Sequence, residues 1–163
     1  MSVEKQTELN RDQLSNIIDY LNSGQASKAL NLINILINEL PNNALLYNFQ
    51  GACYEANGQL NYSIQSFKKA ISIIPKYPEA LYNLGVVQNK FGNKIEAIAS
   101  YQEAVSIKSD YFDAQNNLGL ALTQIGRHEE AIIHLKNTVK INPNFAEAFN
   151  NLGLTYLELN ENK

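Results

Sequence analysis

The chain has 163 residues, of which 45% are hydrophobic and 18% charged, with a formal net charge of −3. That balance suits a folded chain and argues against disorder, and the acidic excess gives no global attraction for nucleic acid or an anionic membrane surface. The single cysteine, Cys53, cannot close an internal disulfide, and no apolar run approaches the roughly 20 residues of a membrane-crossing helix. The opening stretch, Met1 to Asn10, is polar and lacks the apolar centre of a signal peptide, so neither membrane insertion nor secretion is expected and the expected location is cytoplasmic.

Gly51, Gly85, Gly119 and Gly153 recur at one interval, since 85−51, 119−85 and 153−119 all equal 34. Gly24, Gly58, Gly92 and Gly126 keep the same beat, with Asn160 at the fifth place. Self-similarity on this scale predicts a stack of like supersecondary units rather than one globular core. In chain order the divisions are a polar segment 1–9, a degenerate block 10–43, full blocks 44–77, 78–111 and 112–145, and a stretch 146–163 holding one helix and a polar tail.

The first block is the poorest copy. Ile17 stands where the others have glycine, while Tyr20, Gly24, Ala29 and Pro41 hold the register; a terminal repeat lacks one neighbour, so constraint there relaxes. Each full block carries two apolar patterns of helical period separated by its second glycine. In block 78–111 they run from Pro78 to Phe91, with Ala80, Leu81, Leu84 and Val87 on one face, and from Lys94 to Ile107, with Ile95, Ala97, Ile98, Tyr101 and Val105. Gly92 falls just past the first, where a residue without Cβ ends a helix at little cost. Pro41, Pro75 and Pro143 recur where the second helix must stop, with Ser109 in the remaining place.

Small residues set the packing. Opposite Gly85 and Gly119 comes the row Ala29, Ser63, Ala97 and Ala131, followed by bulky Ile33, Phe67, Tyr101 and Leu135, then Leu36, Ala70, Ala104 and Thr138. Small against large at fixed spacing is how helix pairs interlock at native density. Leucine at Gly119 is therefore expected to overpack the pair by about 1–3 kcal/mol or more.

These residues resemble the tetratricopeptide repeat, a helix–turn–helix unit of the same period. The pattern reads Tyr47, Gly51, Tyr54, Ser63, Phe67, Ala70 and Pro75 in block 44–77, Leu84, Gly85, Ala97, Tyr101 and Ala104 in the next, and Leu118, Gly119, Leu122, Ala131, Leu135 and Pro143 in the one after. The match extends over about residues 10–159. The resemblance implies an all-α fold, a right-handed α-solenoid of antiparallel helix pairs, with the first helix of each repeat lining a concave groove. Residues Ala146 to Leu159 supply only the first helix of a fifth repeat. Leu154, Tyr156, Leu157 and Leu159 then leave an apolar face that either serves as an interface or belongs inside a longer protein.

Motifs for catalysis are nearly absent. Ser66 and Lys69 fit a serine–lysine spacing, but Phe67 and Ala70 already explain the stretch as repeat core. His128 and His134 are six residues apart, too far round a helix to chelate a metal, and read as surface or groove residues. Cys53 reads as a space-filling thiol, and the sequon Asn61-Tyr62-Ser63 places Ser63 in a packing slot. No phosphate loop or paired-carboxylate arrangement is present, so no enzyme activity, cofactor or metal is expected.

Asn83, Asn117 and Asn151 recur directly before Leu-Gly at the same interval, with Asn116 and Asn150 beside two of them and Asn48 in register with those two neighbours. Each amide offers one acceptor and two donors, which can pair with the C=O and N–H of a peptide backbone. Such a ladder is similar to the groove of O-linked N-acetylglucosamine transferases, where the resemblance implies that asparagine holds substrate backbone. The same asparagines also suit an exposed, solvated face. Tyr82, Val86, Leu120 and Leu154 would supply apolar contact. Four residues before each asparagine stand Glu79, Asp113 and Glu147, so the basic carboxylate clamp of chaperone-binding repeats is absent. At the roughly 10 Å between packed helices, one unit charge in water contributes only about 0.4 kcal/mol. The acids therefore bias the groove toward neutral or basic segments, or equally serve the helix N-terminus.

The function expected is a non-catalytic interaction module that binds an extended peptide or partner segment in its groove. The alternatives are a scaffold that self-associates through its last helix, and the recruiting arm of a larger glycosyl- or sulfotransferase-like enzyme.

Overall fold

In the computed structural model, residues 8–161 are described, and among them the chain is helical throughout, with no strand. In order the helices are α1 (Arg11–Asn22), α2 (Ala26–Glu39), α3 (Ala44–Ala56), α4 (Leu60–Ile73), α5 (Pro78–Lys90), α6 (Lys94–Ile107), α7 (Phe112–Thr123), α8 (His128–Ile141) and α9 (Ala146–Glu161). Alternating short connections make helix pairs, the all-α solenoid class expected from the repeat.

The boundaries follow from local chemistry. Asn10 caps α1 through a reciprocal pair: its side chain accepts from the Gln13 N–H at 2.9 Å, and the Gln13 side chain accepts from the Asn10 N–H at 3.0 Å. Between the helices of each pair, Gly24, Gly58, Gly92 and Gly126 adopt φ of 70°, 73°, 93° and 77°. That left-handed conformation turns the chain so that the next N–H closes back on the helix, as Gln59 does on the Tyr54 carbonyl at 2.8 Å and Arg127 on the Leu122 carbonyl at 3.0 Å. Asn160 shows the converse. With no glycine at this beat α9 runs straight through it to Glu161, 16 residues against 12 for α7. Ser109 follows α6 at the place where proline follows the other second helices, and α6 still stops at Ile107.

Two compact units result, one up to Val87 and one from Gln88. In the first, α1 packs on α2, α2 on α3 and α3 on α4. Ile17, Ala29, Ile33, Leu36, Leu46 and Cys53 form its main core. Farther along, Phe67 of α4 meets Leu84 and Val87 of α5, and Ala70 meets Ala44 and Ala80. Ile17, wholly buried, fills with a side chain the position that other repeats keep small. Cys53 is fully buried in this core, which pushes its thiol up to about 11; as a thiol rather than a thiolate it is inert.

The second unit packs α6 on α7, α7 on α8 and α8 on α9, with α7 also touching α9. Leu118, Leu122, Ala131, Leu135 and Ala148 are buried in it. Gly51 and Gly119 show why their row must be small. A Cβ on Gly51 would stand 2.6 Å from the Phe67 ring, and one on Gly119 would stand 2.6 Å from Leu135 Cγ and 3.2 Å from the Ala131 carbonyl oxygen. At Gly153 a Cβ would meet nothing within 4 Å. Ser63 fills its small-residue slot fully buried and satisfies its hydroxyl by donating to the Gly51 carbonyl at 2.8 Å.

Candidate functional site

The asparagines on the first helices fall into pairs that link one repeat to the next. In the first unit, Asn83 Nδ2 of α5 donates to Asn48 Oδ1 of α3 at 3.2 Å. In the second, Asn151 Nδ2 of α9 donates to Asn116 Oδ1 of α7 at 3.1 Å. Both pairs are separated by 35 residues, one more than the repeat, so the buried member sits one position earlier in its helix than the half-buried one. Asn48 and Asn116 are buried and Asn83 and Asn151 half-buried. Asn116 is committed on both sides, since its Nδ2 donates to Glu147 Oε1 at 3.1 Å.

The remaining residues of the row lie along the same first helices. Asn117 is half-buried and engaged with a neighbouring group, as is Tyr82. Val86 and Leu120 are half-buried, Asn150 is exposed, and Leu154 is 55% exposed. Among the acids, Glu79 and Glu147 are exposed and Asp113 is half-buried. Burial, with Glu147 nearby, raises the Asp113 carboxyl above its usual range, because a second negative charge beside the first is disfavoured. A cation brought to this spot would relieve that repulsion.

A second polar layer, invisible to the repeat pattern, connects neighbouring helices within and between repeats. Gln115 Oε1 of α7 lies 2.7 Å from His134 Nδ1 of α8. Burial lowers the imidazole's affinity for a proton, and Glu130 partly opposes that shift. Ser100 Oγ of α6 donates to Gln88 Oε1 at 2.6 Å. Thr123 and Thr155 bring their hydroxyls within 2.8 Å of each other, buried between α7 and α9. Of the two histidines, which the sequence suggested to be surface or groove residues, His134 is half-buried and only His128 departs from that reading. His128 is buried, and its Nδ1 lies 3.8 Å from Glu158 Oε2, an ion pair only if the ring is protonated. They meet no common partner. Among the described residues no group of histidine, cysteine and carboxylate side chains is placed to hold a metal ion, and no helix is long and apolar enough to cross a membrane.

Family models for the TPR repeat match residues 51–92, 95–126 and 119–160, and one for the tetratricopeptide repeat matches 79–107. The chain belongs to the tetratricopeptide-repeat family. As such an array it is a protein-interaction module. No curated protein matches it by sequence. Among solved structures it is similar to MamA, at 28% identity and a TM-score of 0.80, over 91% of this chain and 84% of that one. It also shares its fold with YrrB, described as a TPR protein with an unusual peptide-binding site, at 22% identity, a TM-score of 0.78, and 93% and 77% of the two chains. The same holds for the first TPR of Spaghetti (RPAP3), solved with the HSP90 peptide SRMEEVD, at 23% identity, a TM-score of 0.70, and 72% and 93% of the chains.

Proposed function

We propose that this tetratricopeptide array is a non-catalytic module whose first helices hold an extended, neutral or basic segment of a partner protein, through Asn83 in the first unit and through Asn117 and Asn151 in the second. The pairing of asparagines carries the reading. In each unit a buried asparagine, Asn48 or Asn116, fixes the amide of a half-buried one, Asn83 or Asn151, by a single hydrogen bond. Each held amide keeps its oxygen and its second N–H for a ligand, a donor and an acceptor matched to one peptide unit. A prepositioned amide also loses less side-chain freedom on binding than a free one.

Asn48 and Asn116 are positioning residues in this account, and Asn150 lies on the exposed flank. Tyr82, Val86, Leu120 and Leu154 contribute apolar contact. Glu79, Asp113 and Glu147 set the charge preference, which disfavours a terminal carboxylate. Peptide-bound structures of this fold, such as that of Spaghetti, support the general mode, while the acids here make its acidic peptide SRMEEVD a poor model for the ligand.

Screening an arrayed library of unstructured peptides against the intact chain, and then against the Asn83→Ala, Asn117→Ala, Asn151→Ala variant, tests the proposal. Captured peptides should lose about tenfold or more in affinity, as expected for two or three lost hydrogen bonds, with the array still folded but melting lower, because Asn48 and Asn116 each lose a donor. Equal affinity in the variant would sink the idea.

A second reading, association through α9, is favoured by the exposure of Phe149, Leu154 and Leu157, at 48%, 55% and 61%, around the open notch at Gly153. Light scattering that finds only monomer at high concentration excludes it.

A further inference from the structure

Within the first unit, α3 and α4 enclose a shallow pocket of about 200 Å³. Its wall on α3 is Tyr47, Gln50 and Tyr54, spaced on one face that does not include Asn48. Opposite, α4 presents Tyr62, Gln65 and Lys69. The floor is polar and held in place. Ser66 Oγ donates to Gln50 Oε1 at 2.8 Å, and Gln50 Nε2 donates to Asn34 Oδ1 of α2 at 2.8 Å.

The repeat supplies an internal control for what the fold itself requires. Tyr47 and Tyr54 are repeat-pattern residues, but the rim is particular to this repeat. Where it has Tyr62, the next two repeats have Glu96 and Glu130; for Gln65 they have Ala99 and Ile133; for Lys69 they have Glu103 and Asn137. The stack thus forms with other residues at these places, acids among them. Here they carry an aromatic ring, an amide and a cation, and no acid lines the pocket. The Lys69 ammonium lies 5.8 Å from the centre of the Tyr47 ring rather than against a carboxylate, and the Tyr54 and Tyr62 rings are tilted 32° apart at 5.3 Å. Among the described residues the hydroxyls of Tyr54 and Tyr62 and the amide of Gln65 have no partner, whereas the Tyr47 hydroxyl donates to the Pro41 carbonyl at 3.1 Å.

We propose that this pocket is a binding site, separate from the asparagine row, for a carboxylate carried on a flat aromatic body. The volume admits one ring with its acid group. Tyrosine rings pack against such a ring by edge or offset contact. Lys69 then supplies the charge for the carboxylate, and Gln65 and the two phenols supply neutral donors. The shared chemistry has two sources, a free aromatic acid or the terminal residue of a peptide.

The test titrates the full chain with N-acetylphenylalanine and with its amide, following the backbone amide resonances of α3 and α4. The acid should give saturable shifts around Tyr47, Tyr54 and Lys69, and the amide should bind about tenfold more weakly for want of the ion pair. Lys69→Glu, which installs the third repeat's residue, should erase the acid's advantage while the fold stays intact. Tyr62→Glu, drawn from the same source, should weaken both ligands. A short peptide ending in phenylalanine carboxylate that binds more tightly than the free acid assigns a peptide terminus; equal or weaker binding assigns a small molecule. No saturable shift with the acid or the peptide, equal affinity for acid and amide, or an unchanged Lys69→Glu variant overturns the proposal. Binding here should be indifferent to alanine at Asn83, Asn117 and Asn151, which separates this site from the other.

Discussion

Gly119→Leu is expected to destabilise the second unit, whereas Gly153→Leu, the same substitution one repeat later, is expected to stabilise it slightly. A side chain at Gly119 begins 2.6 Å from Leu135 Cγ and 3.2 Å from a backbone carbonyl, so the leucine could yield but the α8 backbone could not. Overpacking of that kind costs about 1–3 kcal/mol, and more where backbone must move. At Gly153 nothing stands within 4 Å, leaving only the gain in helix propensity on removing glycine, roughly 0.5–1 kcal/mol. Urea midpoints of the two variants against the parent check the pair. Equal losses at both positions would show that glycine serves backbone conformation rather than helix spacing.

Phe67→Ala should be the most damaging single change in the first unit. The ring is fully buried, packs on Leu84 and Val87, and lies under Gly51. Truncating a buried phenylalanine costs about 3–5 kcal/mol through lost transfer energy and a residual cavity. Gly51→Ala alone should also destabilise, because its Cβ would meet the ring at 2.6 Å. In the Phe67→Ala background that penalty should vanish or reverse, since the added methyl enters the space the ring has left. A double-mutant cycle by equilibrium unfolding reads the coupling directly. Additive losses would mean that the contact between Gly51 and Phe67 does not limit how closely α3 and α4 approach.

The glycine interval carried most of the fold, because most of these glycines do something that only a missing Cβ allows. One set turns the chain at positive φ, and Gly51 and Gly119 let a bulky residue from the next helix come close. The departures were legible only in part. Ile17 marked the relaxed first repeat, whereas Asn160 was noted without its consequence, and α9 continues past the expected end at Leu159 to Glu161.

The candidate site was legible only as a row. That Asn48 and Asn116 are buried and hold their neighbours depends on an offset of 35 residues, which alignment on a strict repeat hides. His128 was misjudged because Glu158 is far away in sequence and nearby only once the helices stack, and the contact of His134 with Gln115 was unreadable for the same reason. The pocket on α3 and α4 could have been suspected from Tyr62 and Lys69, which stand where sister repeats have acidic or amide residues. Its concavity and its Gln50–Ser66 floor belong to the fold alone.

The central claim, that the first-helix asparagines receive a partner's backbone, is tested most directly by the side-chain amide resonances of the labelled chain. These are followed while a peptide captured from the neutral and basic library is added. The account predicts that the NH₂ signals of Asn83, Asn117 and Asn151 shift together and saturate with one affinity, with those of Asn34 and Asn57 unmoved. Shifts confined to other residues, with these three unperturbed at saturation, would contradict it.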